Sequence, residues 1–157
     1  MTQAVVVDQA ASQLTGLLLT LSDRLLLVPN TAIAELVAYR NVQAAENSPN
    51  WLLGQIAWRD LSLPLLAFEA ASSDAPVVTE GARVVIVNAI GGRDNCRFFA
   101  VLIQGIPRSV RLEPSLSRQA DATLLPLELD AVSLDGEVAK IPDLAALEEK
   151  LADLKLI

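Results

Sequence analysis

Trp51-Leu52-Leu53-Gly54-Gln55-Ile56-Ala57-Trp58-Arg59-Asp60-Leu61-Ser62-Leu63-Pro64-Leu65-Leu66 is the stretch that decides the fold. Two apolar runs, 55–58 and 61–68, flank the charged pair Arg59-Asp60, a pattern that predicts two strands folded back on one another. Pro64 has no N–H to give a ladder, so the second strand is expected at a sheet edge or on a bulge. Just upstream, Asn47-Ser48-Pro49-Asn50 reads as a loop. Ser48 is placed to cap, and Pro49 to begin, a helix of a turn or two that Gly54 soon stops.

The same hairpin grammar runs outward in both directions. Leu17 to Leu21 and Leu25 to Val28 surround the polar turn Ser22-Asp23-Arg24, and a further strand is expected over 34–39 after one helical turn. Val84 to Val87 and Arg97 to Ile103 flank Gly91-Gly92-Arg93-Asp94-Asn95, whose glycines and asparagine supply the positive φ a reversal needs. A strand over 106–112 follows. A last pair, 131–134 and 138–141, meets at Asp135-Gly136. At the C-terminus the period changes: Leu144, Leu147, Leu151 and Leu154 make one apolar stripe of a helix that Pro142 and Asp143 start. That stripe is expected to pack on the strands, the alternative being a helix that binds a partner. Glu148, Glu149 and Asp153 are assigned to its solvated side.

The expected fold is therefore mainly all-β. Two strand clusters, about 14–70 and 82–142, are separated by a small polar linker over 70–82 and preceded by a loose arm over 1–13. Five strands in each are enough to close a small barrel and remove exposed edges.

Composition narrows the function. The 157 residues suit one domain, 52% are hydrophobic and only 4% aromatic, so the core is aliphatic. Twelve Lys and Arg against 19 Asp and Glu give a net charge of −7, which opposes nucleic-acid binding. Arg108, Arg111 and Arg118 form the one dense basic stretch and read as a solvated strand edge. Ser22-Asp23-Arg24 interrupts the most apolar region far short of the roughly 20 residues a spanning helix needs, so no direct membrane insertion is expected. The N-terminus lacks the basic start of a secretory signal, and the single Cys96, expected to be a small buried hydrophobe, fits a reducing cytoplasm. With no histidine, one cysteine, no phosphate-binding loop and no nucleophile elbow, the usual bases, nucleophiles and metal ligands are missing. Only a carboxylate pair remains open to an enzyme, and no catalytic residue, metal or cofactor is assigned.

Asn47 to Leu66 resembles a motif of the CheW-like coupling proteins of bacterial chemotaxis: a Thr/Ser-Pro pair, an apolar pair before a Gly, then Asn-Leu-Arg-Gly and an apolar strand with an internal Pro. Val84 to Asn88, Val101-Leu102-Ile103-Gln104-Gly105-Ile106 and Val138 to Leu144 match in order and spacing, so the resemblance covers about residues 14–151. It implies two five-stranded SH3-like β-barrels with short helices, a C-terminal amphipathic helix, and a hydrophobic groove between the barrels. It also implies a non-enzymatic adaptor that joins the cytoplasmic tip of a methyl-accepting chemoreceptor to the regulatory domain of a CheA-type histidine kinase. On the receptor side the family's Arg aligns with Arg59, its acid with Glu35, a neighbouring apolar contact with Ile33, and its conformationally special Gly with Gly54; the kinase-contact residues are not assigned. Asp60 stands where the family has Gly, and Gln104 where it often has Asp, which implies a divergent member such as one from a pilus-motility system. Other readings stay open: Arg59 as a plain surface arginine, Glu35 as a solvated residue, Ile33 and Trp58 as core. A small-ligand-binding β-barrel would instead show an enclosed pocket with converging polar groups. A general interaction module would lack chemoreceptor partners.

Overall fold

Residues 52–66 do fold back on themselves, and the hairpin sits inside a larger sheet. The structure, a computed structural model, describes residues 15–40, 42–44, 46–74, 77, 80–94, 96–112, 117–119, 121–134 and 136–154. The expected arm over 1–13 and residue Asp135 of the last turn lie outside these. The strands are β1 (Thr15–Thr20), β2 (Leu25–Pro29), β3 (Ile33–Ala38), β4 (Val42–Ala44), β5 (Leu52–Trp58), β6 (Leu61–Leu66), β7 (Ala82–Asn88), β8 (Phe98–Gln104), β9 (Arg108–Arg111), β10 (Ser117–Arg118), β11 (Glu128–Leu134) and β12 (Glu137–Pro142). A 3-10 turn, Asn30–Ala32, precedes β3, and the helices are α1 (Phe68–Ser73) and α2 (Leu144–Asp153).

The strands form two sheets of six, ordered β10-β11-β12-β2-β1-β9 and β3-β7-β8-β6-β5-β4. The mainly all-β class is as expected. The grouping is not: the sheets do not follow the division at 14–70 and 82–142. The first hairpin, β1–β2, joins the C-terminal strands, because β2 runs parallel to β12 through Leu25↔Ala139 and Leu26↔Lys140. In the second sheet β6 runs parallel to β8 through Leu65↔Ala100 and Leu66↔Val101. Each count also exceeds five, since the short edge strands β4 and β10 carry too few residues to announce themselves.

Three apolar clusters explain which strands are continuously hydrophobic. A central cluster lies between the sheets and holds Leu19, Leu26 and Val28 from one, Val85, Val101 and Ile103 from the other. The second sheet encloses its own cluster around Ile56, Trp58, Leu63, Val84 and Ile86, and the first encloses Leu18, Leu27, Val132 and Ala139. Strands β7 and β8 are buried on both faces, and so lack polar alternation.

Local expectations fail where a neighbour supplies what the chain segment lacks. No helix starts at Ser48; Pro49 to Leu52 is a single turn closed by the Leu52 N–H on the Pro49 carbonyl at 3.0 Å, and the Ser48 hydroxyl donates to Glu46. The first residues of the expected linker, 70–73, belong to α1, which buries Phe68, Glu69, Ala70 and Ser72. Pro64 sits in an interior strand rather than at an edge. It is tolerated because the β6–β8 ladder starts only at Leu65, leaving the Pro64 side of the strand unpaired. On α2, Leu147 and Leu151 face the central cluster as expected, and the Asp143 side chain caps the helix by accepting from the Ala146 N–H at 3.0 Å. Glu148, however, is buried rather than solvated.

Candidate functional site

Arg59 and Asp60 are the two residues of the β5–β6 turn, with φ of +47° and +62° between the paired residues Trp58 and Leu61. Two left-handed residues in a two-residue loop match the twist of the flanking strands. Aspartate tolerates this conformation better than most side chains, which is how the turn survives without a glycine. The reversal brings the Arg59 guanidinium over the Trp58 ring, 4.5 Å from its centroid. Trp58 in turn meets Phe98 edge to face, with centroids 4.8 Å apart and planes at 66°. Arg59 Nη2 donates to Glu35 Oε1 at 3.2 Å. The two side chains are 68% and 41% exposed, so water screens the pair and it contributes no more than about 1 kcal/mol to stability. Arg59 pairs with Glu35, and no ion pair with Asp60 occurs among the described residues.

Arg59, at the turn, and Glu35, on β3, are thus brought together from positions 24 residues apart in the chain. The other two candidates lie elsewhere. A bulge in the β3–β7 ladder between Ile33 and Glu35 separates them, and Ile33 packs half-buried against the central cluster. There it lines an all-apolar crevice with Leu19, Val28, Phe68 and Leu144, with a volume of about 10 Å³, near the least that admits one water. Gly54 lies five residues before Arg59, roughly 16 Å along an extended strand. Its φ is +147°, and a Cβ there would overlap the Gln43 carbonyl, so glycine lets β4 approach β5 at the bulge. Beside it runs an open cleft of about 280 Å³ lined by Gln43, Glu46, Ser48 and Gln55. Neither cleft is an enclosed pocket with converging polar groups.

Two buried charge clusters carry no sequence signal. Arg24, its side chain 6% exposed, donates to Asp23 at 2.8 Å, Glu128 at 2.9 Å, Ser72 at 2.6 Å and Ser73 at 2.8 Å. Lys140 closes on Glu128 at 2.6 Å. Burial lowers the Arg24 pKa, but its hydrogen bonds and charge attraction to Asp23 and Glu128 outweigh that and hold it above the ordinary value. In the second cluster Glu148 accepts the Ile90 N–H at 2.9 Å, the Gly91 N–H at 3.2 Å, and Arg93. Gly91 is needed here because a Cβ would overlap the Glu148 carboxylate. Among the described residues of that loop Gly92 has positive φ, +71°, and Asn95 lies outside them. Both clusters tie loops to the core, and each buried carboxylate has a cation beside it or backbone and hydroxyl donors, as with Glu69 and Ser22.

Arg108 and Arg118 lie exposed on the edge strands of the first sheet, paired with Glu137 and Asp130. Cys96 is buried, and burial with the nearby Glu148 charge raises its thiol pKa, the opposite of a reactive thiolate. Among the described residues no group of three or more His, Cys, Asp or Glu is placed to hold a metal ion, and no helix is long and apolar enough to cross a membrane.

A family model described as the CheW-like domain matches residues 15–151. The fold is similar to the crystal structure of the scaffolding protein TtCheW from Thermoanaerobacter tengcongensis, with a TM-score of 0.72 over 86% of this chain and 87% of that one. Sequence identity across that match is 14%, so the likeness speaks for the fold alone. Comparison with curated protein sequences finds no match.

Proposed function

Because the chain belongs to the CheW-like domain family, we propose that it is a non-enzymatic, cytoplasmic adaptor coupling the tip of a chemoreceptor to the regulatory domain of a CheA-type histidine kinase. The observation that carries this reading is the hairpin tip. Arg59 is an exposed guanidinium in contact with Trp58 and Glu35, on a tight two-residue turn, with Leu61 45% exposed beside it. An ordered cation next to an apolar side chain is the composition of a binding hot spot rather than of a catalytic cleft.

In this reading the receptor side comprises Arg59 and Glu35 and extends to Ile33 at the crevice between the sheets. Gly54 contributes through the backbone, by holding β4 against β5. The kinase regulatory domain uses a separate face. Asp60 and Gln104 fit an accessory adaptor, such as one serving pilus motility, whose receptor differs from that of the flagellar pathway. The exposed Arg59–Glu35 pair is weak enough to open for a partner's carboxylate or carbonyl, whereas the Arg24 pair is not.

Paired titration of wild type and Arg59→Ala against a receptor-tip fragment and a kinase regulatory domain tests this. The variant should lose about 1–3 kcal/mol of receptor binding, the range of a partly desolvated charged contact, while kinase binding and the melting curve stay unchanged. Equal loss toward both partners together with a lower melting temperature would make Arg59 a structural residue. No loss toward either would move the receptor surface elsewhere.

A further inference from the structure

The family motif has Asn-Leu-Arg-Gly where this chain has Ala57-Trp58-Arg59-Asp60, so the arginine is kept while both of its neighbours change. Asp60 follows the arginine in sequence and stands in a left-handed turn position that suits glycine. Trp58 places an indole beneath the guanidinium, 4.5 Å away. Its ring is nearly buried, at 7% exposure, and is fixed by the edge-to-face contact with Phe98 from β8. The Trp58 Nε1–H is buried and has no acceptor among the described residues. The indole's own hydrogen bond therefore does not explain its presence, while its ring face is in use.

We infer that Trp58 and Phe98 form an aromatic pedestal that positions Arg59 for its partner, a task an aliphatic side chain cannot perform. This rests on the proposed receptor contact at Arg59. A guanidinium stacked on an indole keeps its N–H edge free while one face is covered. Arg59 Nη2 also donates to Glu35 at 3.2 Å. Together these contacts restrict the rotamers of the side chain before binding, so less ordering entropy remains to be lost when a partner arrives. The partner chemistry this edge fits is a carboxylate or a row of backbone carbonyls.

The test is a double-mutant cycle on the full chain with a purified receptor-tip fragment as probe. Trp58→Leu should weaken binding about two- to fivefold, the size of an exposed cation–π contact, and Trp58→Phe should recover part of it. Added to Arg59→Ala, Trp58→Leu should cost nothing further. Proton NMR of the free protein gives a second readout: the ring current should move the Arg59 Hδ resonances upfield in wild type and Trp58→Phe, and the shift should vanish in Trp58→Leu. If Trp58→Leu does not fold, Phe98→Leu takes its place and should weaken binding in the same direction. The pedestal is refuted if Arg59→Ala weakens binding while the folded pedestal variant does not, or if the two losses simply add. No effect of Arg59→Ala refutes instead the receptor contact on which the pedestal rests.

Discussion

Two hairpins occupy the same place in their respective sheets and put an arginine at the turn, yet the two arginines have opposite fates. β1–β2 is flanked by the edge strand β9 and joined in parallel to β12; β5–β6 is flanked by β4 and joined in parallel to β8. The first turns over Ser22-Asp23-Arg24, the second over Arg59-Asp60. In the first, α1 and the start of β11 close over the tip, so that Ser72, Ser73 and Glu128 all take hydrogen bonds from Arg24. Nothing among the described residues covers the second tip, and Arg59 stays 68% exposed. Similar turn chemistry thus makes a structural rivet at one tip and a presented cation at the other. What differs is the chain that passes overhead.

The contrast breaks most visibly under Arg24→Ala. Removing one member of a buried ion pair strands the other, and the low end of the usual cost applies because Lys140 and the Leu125 N–H still hold Glu128. A loss of about 3 kcal/mol in urea unfolding is expected, against less than about 1 kcal/mol for Arg59→Ala. Equal losses would erase the distinction between the two tips.

A smaller change sharpens it. Asp60 has φ of +62° with its side chain exposed, so Asp60→Gly relieves a left-handed aspartate and should raise stability by up to about 0.5–1 kcal/mol. Unfolding of the variant in the same urea series checks this, and a loss of stability would mean that the Asp60 side chain holds the turn together.

Smallest of all is the effect of acid on an exposed pair. The hydrogen bond from Arg118 at 2.6 Å, with the Ala131 N–H and the Arg118 charge, holds the Asp130 carboxyl below its ordinary range. Because the folded value is depressed, its contribution is present above the unfolded value of about 4 and fades as pH falls through the folded one. Carboxyl-carbon NMR should show Asp130 titrating low in wild type and nearer pH 4 in Arg118→Ala, with little change in melting temperature at pH 7.

Much of the strand plan was legible because its signals are local. Ser22-Asp23-Arg24 and Gly91-Gly92 turn where a polar or glycine break parts two apolar runs, and Gly136 has the expected positive φ of +83°. The Leu144–Leu147–Leu151 stripe is set by the 3.6-residue period alone. α1 was not legible, because Phe68 reads as the end of the apolar run 61–68 and Ala70 to Ser73 have the small, polar composition of a linker, while the helix forms with Phe68 and Ala70 buried in the central cluster. The burial of Glu148 was not legible for a related reason: it lies next to Leu147 at the margin of the stripe, and the loop over 90–93 that covers it comes from another part of the chain. At the candidate site, Arg59 stood out through its motif. Its stack on Trp58 depends on the left-handed turn, and Phe98 beneath it carries no mark in the sequence.

The sequence by itself determined that the chain is built of hairpins around an aliphatic core, closes with an amphipathic helix, and lacks histidine and all but one cysteine. Such features follow from the alternation of side chains along a strand, the φ demands of turns and the chemistry of the residues present. Only the tertiary structure decided that β1–β2 belongs with β9–β12, that Arg24, Glu128 and Glu148 are interior, and that Arg59 meets Glu35. The parallel joins that settle the grouping involve two residue pairs each. Their preference comes from burying both faces of strands far apart in the chain, and that energy belongs to no single segment.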